Sequence, residues 1–185
     1  MDSKRPDDND ERGLGHQLAE ALGDIIGTLL LSLALTLTVN TFVARAWVID
    51  GPSMQPNLYG DQRIMAEKIT YRLLHGPRRG DVVVIDIPGE PIPLIKRVVA
   101  VAGDVVEVRG GHVYINGELE EEPWVAQLGG PDYPPTYVPP LHVFVLGDNR
   151  PSSRDSRSFG PVSVDQIEAR ALFVYWPPEQ AKSLR

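Results

Sequence analysis

From Ile25 to Val43 the chain is apolar all round, interrupted only by Thr, Ser, Gly and Asn40 and free of formal charge. A helix of nineteen such residues is about 28 Å long, close to the hydrocarbon thickness of a bilayer. A core helix would show a single apolar stripe. A secretory signal would have a shorter apolar region and a small-residue cleavage site. The pattern therefore predicts a retained transmembrane helix over 22–44, followed by Arg45 and Trp47 as interfacial anchors. Before it, residues 1–21 read as a disordered tail, because Met1 to His16 is polar and poor in apolar groups. Lys4, Arg5 and Arg12 ahead of the span, against Arg45 behind it, put that tail on the cytoplasmic side. Residues 45–185 would then form an extracytoplasmic domain on a single-pass membrane protein.

Beyond Trp47 the period changes. Val82–Ile87, Ile92–Val101, Val105–Val108, Val113–Ile115, His142–Leu146 and Ala171–Trp176 are short β-branched or aromatic runs separated by Gly-Asp, Gly-Gly and Asn-Gly pairs. Asn116-Gly117 suits a two-residue hairpin turn, since both residues tolerate positive φ. Ala66–His75 reads as a short helix or a bent strand. The prolines of Glu118–Pro140 make that stretch a surface loop rather than a central strand. The expected fold is mainly β: an antiparallel sheet or barrel-like catalytic domain behind one N-terminal transmembrane helix.

Composition narrows the function. The chain's 185 residues allow one medium domain and an anchor. A net charge of −7 argues against a nucleic-acid surface. There is no cysteine, which removes thiol nucleophiles, disulfides and thiolate metal sites. The four histidines are scattered. No metal or organic cofactor is expected, and the run Glu120-Glu121-Glu122 reads as a solvated turn.

Three stretches carry chemistry. Ser53 lies in Gly51-Pro52-Ser53-Met54-Gln55-Pro56, where the prolines stiffen the peptide around a hydroxyl. The chain from Val43 can extend at most about 36 Å, so this serine stays near the bilayer plane. Lys96 interrupts the apolar run IPLIKRVVAV. Strand alternation puts Lys96 and Arg97 on opposite faces, both largely apolar. A desolvated lysine can lose its proton near neutral pH and act as a general base, whereas arginine stays charged and suits a structural ion pair. Gly147 to Gly160 gathers Asp148, Asn149, Arg150, Ser153, Asp155, Ser156 and Arg157 after a strand. Its charge spacing, Asp148 with Arg150 and Asp155 with Arg157, suggests an ion-pair network. That network would hold Ser153 or Ser156 near the lysine.

In order and spacing these boxes resemble the type I signal peptidases, membrane-bound Ser–Lys proteases that remove signal peptides from exported preproteins. Gly51–Leu58 resembles their nucleophile box, Arg79–Val83 the next, Lys96–Val106 the lysine box and Gly147–Gly160 the last. The likeness runs from the membrane helix to about Val162. It implies Ser53 as nucleophile, Lys96 as general base, and Ser153 as the serine that orients the lysine. Asp155, Arg157, Gly147, Asp148, Asn149 and Arg150 would support the loop. The oxyanion hole would use the Ser53 N–H. One branch of the family has a serine donor two residues before the nucleophile; here that position is Gly51, as in the Gram-positive-like branch. Asn57 stands where the family often has threonine. The implied partners are preprotein signal peptides, with small residues one and three positions before the cut, and a lipid bilayer. Nucleic acid is not among them, and the chain would act as a monomer. Two rival readings are a self-cleaving Ser–Lys protease of the repressor type and an inactive membrane-anchored β module.

Overall fold

The computed structural model describes residues 7–39 and 43–184, with backbone alone at 7–19, 72 and 73. The chain divides into two units, one holding the helix α1 (Asp7–Thr38) and one holding every strand. Between Glu20 and Thr38, α1 is apolar enough to cross a membrane and none of it is buried. Its threonines and serine stay compatible with that surface by returning their hydroxyls to the helix backbone: Thr28 to Asp24, Ser32 to Leu29, Thr36 to Ser32 and Thr38 to Ala34. The helix starts earlier than composition suggests. Residues 7–21, expected to be disordered, are helical, because extending an existing helix adds a hydrogen bond per residue without a new nucleation cost. Residues 1–6 of that tail lie outside the described residues, as do 40–42 of the expected span, and Ala44 already belongs to a strand.

The β unit runs β1 (Ala44–Val48), β2 (Arg63–Glu67), β3 (Val82–Ile85), β4 (Leu94–Val101), β5 (Val105–Arg109) and β6 (His112–Ile115). It continues with β7 (Glu118–Leu119), β8 (Tyr133–Tyr137), β9 (His142–Leu146), the helical turn α2 (Ser156–Phe159), β10 (Val162–Ser163), β11 (Ile167–Trp176) and β12 (Lys182–Ser183). An antiparallel sheet of eight strands has the order β1-β2-β11-β3-β4-β9-β10, with β12 added to β11. A second sheet has the order β7-β6-β5-β8.

The long β-branched runs are explained by burial on both faces. All four residues of β3 are buried: Val82 and Val84 pack with Ile64, Ala171 and Met54, while Val83 and Ile85 face Val98, Val143 and Val145. A third cluster, including Val106, Val108, Val113, Phe144 and Leu146, joins the second sheet to β4 and β9. The Asn116-Gly117 hairpin forms as read, with both φ angles positive, at 54° and 89°, and Ile115 paired to Glu118. Ala66–His75 divides into the end of β2 and a π-helical turn at Thr70–Leu74.

The stretch read as a loop, Glu118–Pro140, in fact contributes β7 and β8. β8 carries Pro134 and Pro135 and pairs only with β5, at the sheet's edge. An edge strand tolerates the missing N–H groups that would break a central ladder.

Candidate active site

Ser53 lies in the connection between β1 and β2. Its turn is closed by Gln55 N–H donating to Pro52 O at 3.1 Å and Leu58 N–H donating to Met54 O at 2.8 Å. Met54 and Leu58 are buried in the core beside Ile49. The apolar residues of the box thus nail down the turn, and the serine is left facing a groove.

Lys96 comes from β4, opposite Val83 on β3. As strand alternation requires, it and Arg97 leave the strand on opposite faces. Both are almost fully buried, at 3% and 4% exposure. Lys96 Nζ lies 2.8 Å from Ser53 Oγ and donates to Ile95 O at 3.0 Å. Burial pulls this amine from 10.5 down to about 8, against the opposing pull of the carboxylates of Asp155, Glu90 and Asp148. At pH 7 about a tenth of such amines are neutral. Ser53 and Lys96 line a groove of about 350 Å³ whose walls include Trp47, Val48, Ile92 and Leu94.

Arg97 forms the structural ion pair expected of it. Its Nε and one NH2 nitrogen grip both oxygens of Asp148 at 2.8 and 2.7 Å, and its guanidinium lies 4.6 Å over the Trp124 ring. Asn57 donates to Asp148 at 2.9 Å and to Trp124 O at 2.7 Å. Trp124 is not among the residues the sequence points to, and Asn57 is marked there only as a departure from the threonine of the resembling family.

The loop after β9 holds its charges differently from the expected spacing pattern. Asp148 pairs with Arg97, not with Arg150. Arg150, 1% exposed, pairs with Glu122 at 2.5 Å and donates to Gly111 O and Gly147 O. Glu122 is therefore a buried ion-pair partner, not part of a solvated turn; a guanidinium this deep requires a counter-charge. Asp155 and Arg157 do pair, through two contacts of 2.8 Å, and Gly147 N–H donates to the same carboxylate. Ser156 Oγ accepts from Val145 N–H at 3.0 Å, which commits it to β9.

Ser153 departs from expectation. Its hydroxyl is buried without a hydrogen-bond partner and does not bond Lys96, whose amine is directed at Ser53 and Ile95. It packs instead against Gly147, where an added Cβ would overlap Ser153 Oγ and stand 2.5 Å from Ser53 O. Gly147 is thus the spacer that lets three chain segments meet. Asn149 completes the contact: its N–H donates to Ser53 O at 3.0 Å and its side-chain amide to Pro52 O at 3.1 Å. Gly51 lines the groove and has no side-chain donor. Among the described residues no His, Asp and Glu cluster is arranged to hold a metal ion.

The family model of signal peptidase, peptidase S26, matches residues 22–176, a range that includes every candidate site residue. The chain belongs to this family. As a member it is a serine endopeptidase. It is 37% identical over 157 residues to the probable signal peptidase I-2 of Synechocystis sp., covering 81% of this chain and 71% of that one. It is 40% identical over 161 residues to the signal peptidase I of Leptolyngbya laminosa, covering 82% and 78%. A crystal structure of a signal peptidase I from Enterococcus faecalis aligns with a TM-score of 0.46 and 32% identity, over 51% of this chain and 95% of that one.

Proposed function

We propose that this signal peptidase is anchored in a membrane by α1, with its N-terminus cytoplasmic, and cleaves signal peptides from exported preproteins. Ser53 is its nucleophile and Lys96 its general base. One observation carries the reading: a buried amine brought to about 8 lies 2.8 Å from a serine hydroxyl on the wall of an apolar groove. Neither an inert module nor a structural lysine calls for that arrangement, because burying an amine against its own charge destabilises the fold.

The chemistry follows from these atoms. Neutral Lys96 takes the Ser53 proton as Oγ attacks the scissile carbonyl, and the negative charge moves to the carbonyl oxygen. The Ser53 N–H, which donates to no group among the described residues, is available to that oxygen. The ammonium then returns its proton to the leaving amine, and the new N-terminus departs. A water, deprotonated by the same lysine, attacks the ester to release the signal peptide's carboxylate and restore Ser53. The groove's apolar walls suit small uncharged side chains just before the cut.

Purified Ser53→Ala and Lys96→Ala variants are expected to lose preprotein cleavage by at least about 10³-fold while still inserting into membranes. Normal processing by either one rules out the dyad.

A further inference from the structure

With Gly51 in place of a side-chain donor, the oxyanion hole of the proposed reaction rests on a main-chain N–H. An N–H group has no rotamer of its own, so its aim depends wholly on the orientation of its peptide plane. The Ser53 N–H shares that plane with the Pro52 carbonyl. Among the described residues only the bonds preceding Pro56 and Pro177 are cis, so the Pro52–Ser53 peptide is trans, and its C=O and N–H point in opposite directions. Whatever fixes Pro52 O therefore aims the Ser53 N–H.

Two donors hold Pro52 O. One is Gln55 N–H at 3.1 Å, within the nucleophile's own turn, which can rotate as a unit with that turn. The other is Asn149 Nδ2, also at 3.1 Å, from the loop after β9. The Asn149 main-chain N–H reaches the next carbonyl, Ser53 O, at 3.0 Å. One residue thus clamps two successive carbonyls on either side of the nucleophile. Asn149 is itself held firmly: Asp148 before it is gripped by Arg97 on β4, Arg150 after it is buried against Glu122, and Asn149 forms a parallel bridge with Gln127. The clamp thereby ties the peptide to the strand that carries Lys96.

We infer that Asn149 is the positioning residue of the oxyanion hole, its side-chain amide fixing the Pro52–Ser53 peptide so that the Ser53 N–H faces the incoming carbonyl oxygen. The inference rests on Ser53 being the nucleophile. A second effect acts in the same direction. A donor on the amide oxygen polarises the amide and strengthens the N–H as a donor, by about 10–30%.

Asn149→Leu keeps the branched side-chain skeleton and the main-chain bond to Ser53 O but deletes the Nδ2 donor. In the full-length enzyme acting on a preprotein, kcat is expected to fall about tenfold, less than the loss of a whole oxyanion donor. KM should stay within about twofold, because ground-state binding is untouched. Inhibition by a peptide boronate, which forms a tetrahedral adduct on Ser53, should weaken by about the same factor as kcat. The acid limb of the pH profile should not move, since Lys96 keeps its neighbours. Wild-type kcat and boronate affinity would overturn the inference. So would a loss confined to KM, or one accompanied by a shifted limb. Should the leucine variant fail to fold, Asn149→Ala carries the same expectations without added apolar bulk. An active Ser53→Ala enzyme would instead defeat the dyad reading itself, an outcome distinct from any result at Asn149.

Discussion

Lys96 is subject to two opposing demands. Its amine must lose a proton to serve as base, which burial favours, yet Asp155, Glu90 and Asp148 pull it back toward the charged form. The balance near 8 predicts that kcat/KM rises through an acid limb of about that value. Of the three, Glu90 is the one outside the buried ion pairs of the loop after β9: it meets that loop only through the exposed Arg154, at 2.8 Å. Glu90→Gln should move the limb to lower pH and raise the rate at pH 7; a limb that stays or moves upward would show that Glu90 does not act on the amine. The same balance affects stability. The folded pKa of Lys96 is depressed, so between about 8 and 10.5 the unfolded chain holds more protons than the folded one. Stability therefore rises with pH across that window, and the cost of the buried amine is fully present below it. Lys96→Met is expected to stabilise the protein at pH 7 by about 3 kcal/mol. The gain should fade by pH 10.5, as followed by denaturant unfolding of the two proteins at both pH values.

At the scale of elements, Gly147 decides how closely β9, the nucleophile turn and the Ser153 segment can meet. Its need for glycine is one of space rather than of φ, since a methyl group would meet Ser53 O and Ser153 Oγ. Gly147→Ala should cut kcat by at least about 10² with little loss of expression, because the shift falls on the Ser53 carbonyl; full activity would mean the turn can retreat. The fold was legible in its hydrophobic runs: β3, β4, β9 and the β6–β7 hairpin follow from β-branched stretches and one Asn-Gly pair. β8 was hidden because its prolines are tolerable only at an edge, and edge position is a property of the assembled sheet. In the candidate site, strand alternation in the sequence alone separates Lys96 from Arg97. Spacing misassigned the partners in the loop after β9, where Asp148 and Arg150 are neighbours in sequence yet pair with Arg97 and Glu122, 51 and 28 residues away. Local charge patterns say that counter-charges are needed but not which distant ones arrive. The Ser153 hydroxyl was likewise read as a lysine partner from its box, while the packing against Gly147 that occupies it lies outside any linear pattern.

The whole molecule combines a helix that is exposed from Glu20 to Thr38 and a β unit with three apolar clusters of its own. All the residues of the proposed site belong to the β unit, so in the proposed function α1 would contribute location rather than reactivity. Location would still matter to the proposed base, whose amine burial pulls down to about 8. A leaflet rich in anionic lipid, at about −30 mV, concentrates protons at its surface about threefold over bulk. A catalytic lysine working at that surface would itself be neutral about a third as often at the same bulk pH. Reconstituted into vesicles at pH 7, the enzyme should therefore cleave a neutral-flanked preprotein more slowly as anionic lipid is added, and recover as salt is raised. An unchanged rate would mean the amine is shielded from the surface potential. Lipid headgroup charge would in this way tune the proposed cleavage through the local proton concentration, with no direct contact to the dyad.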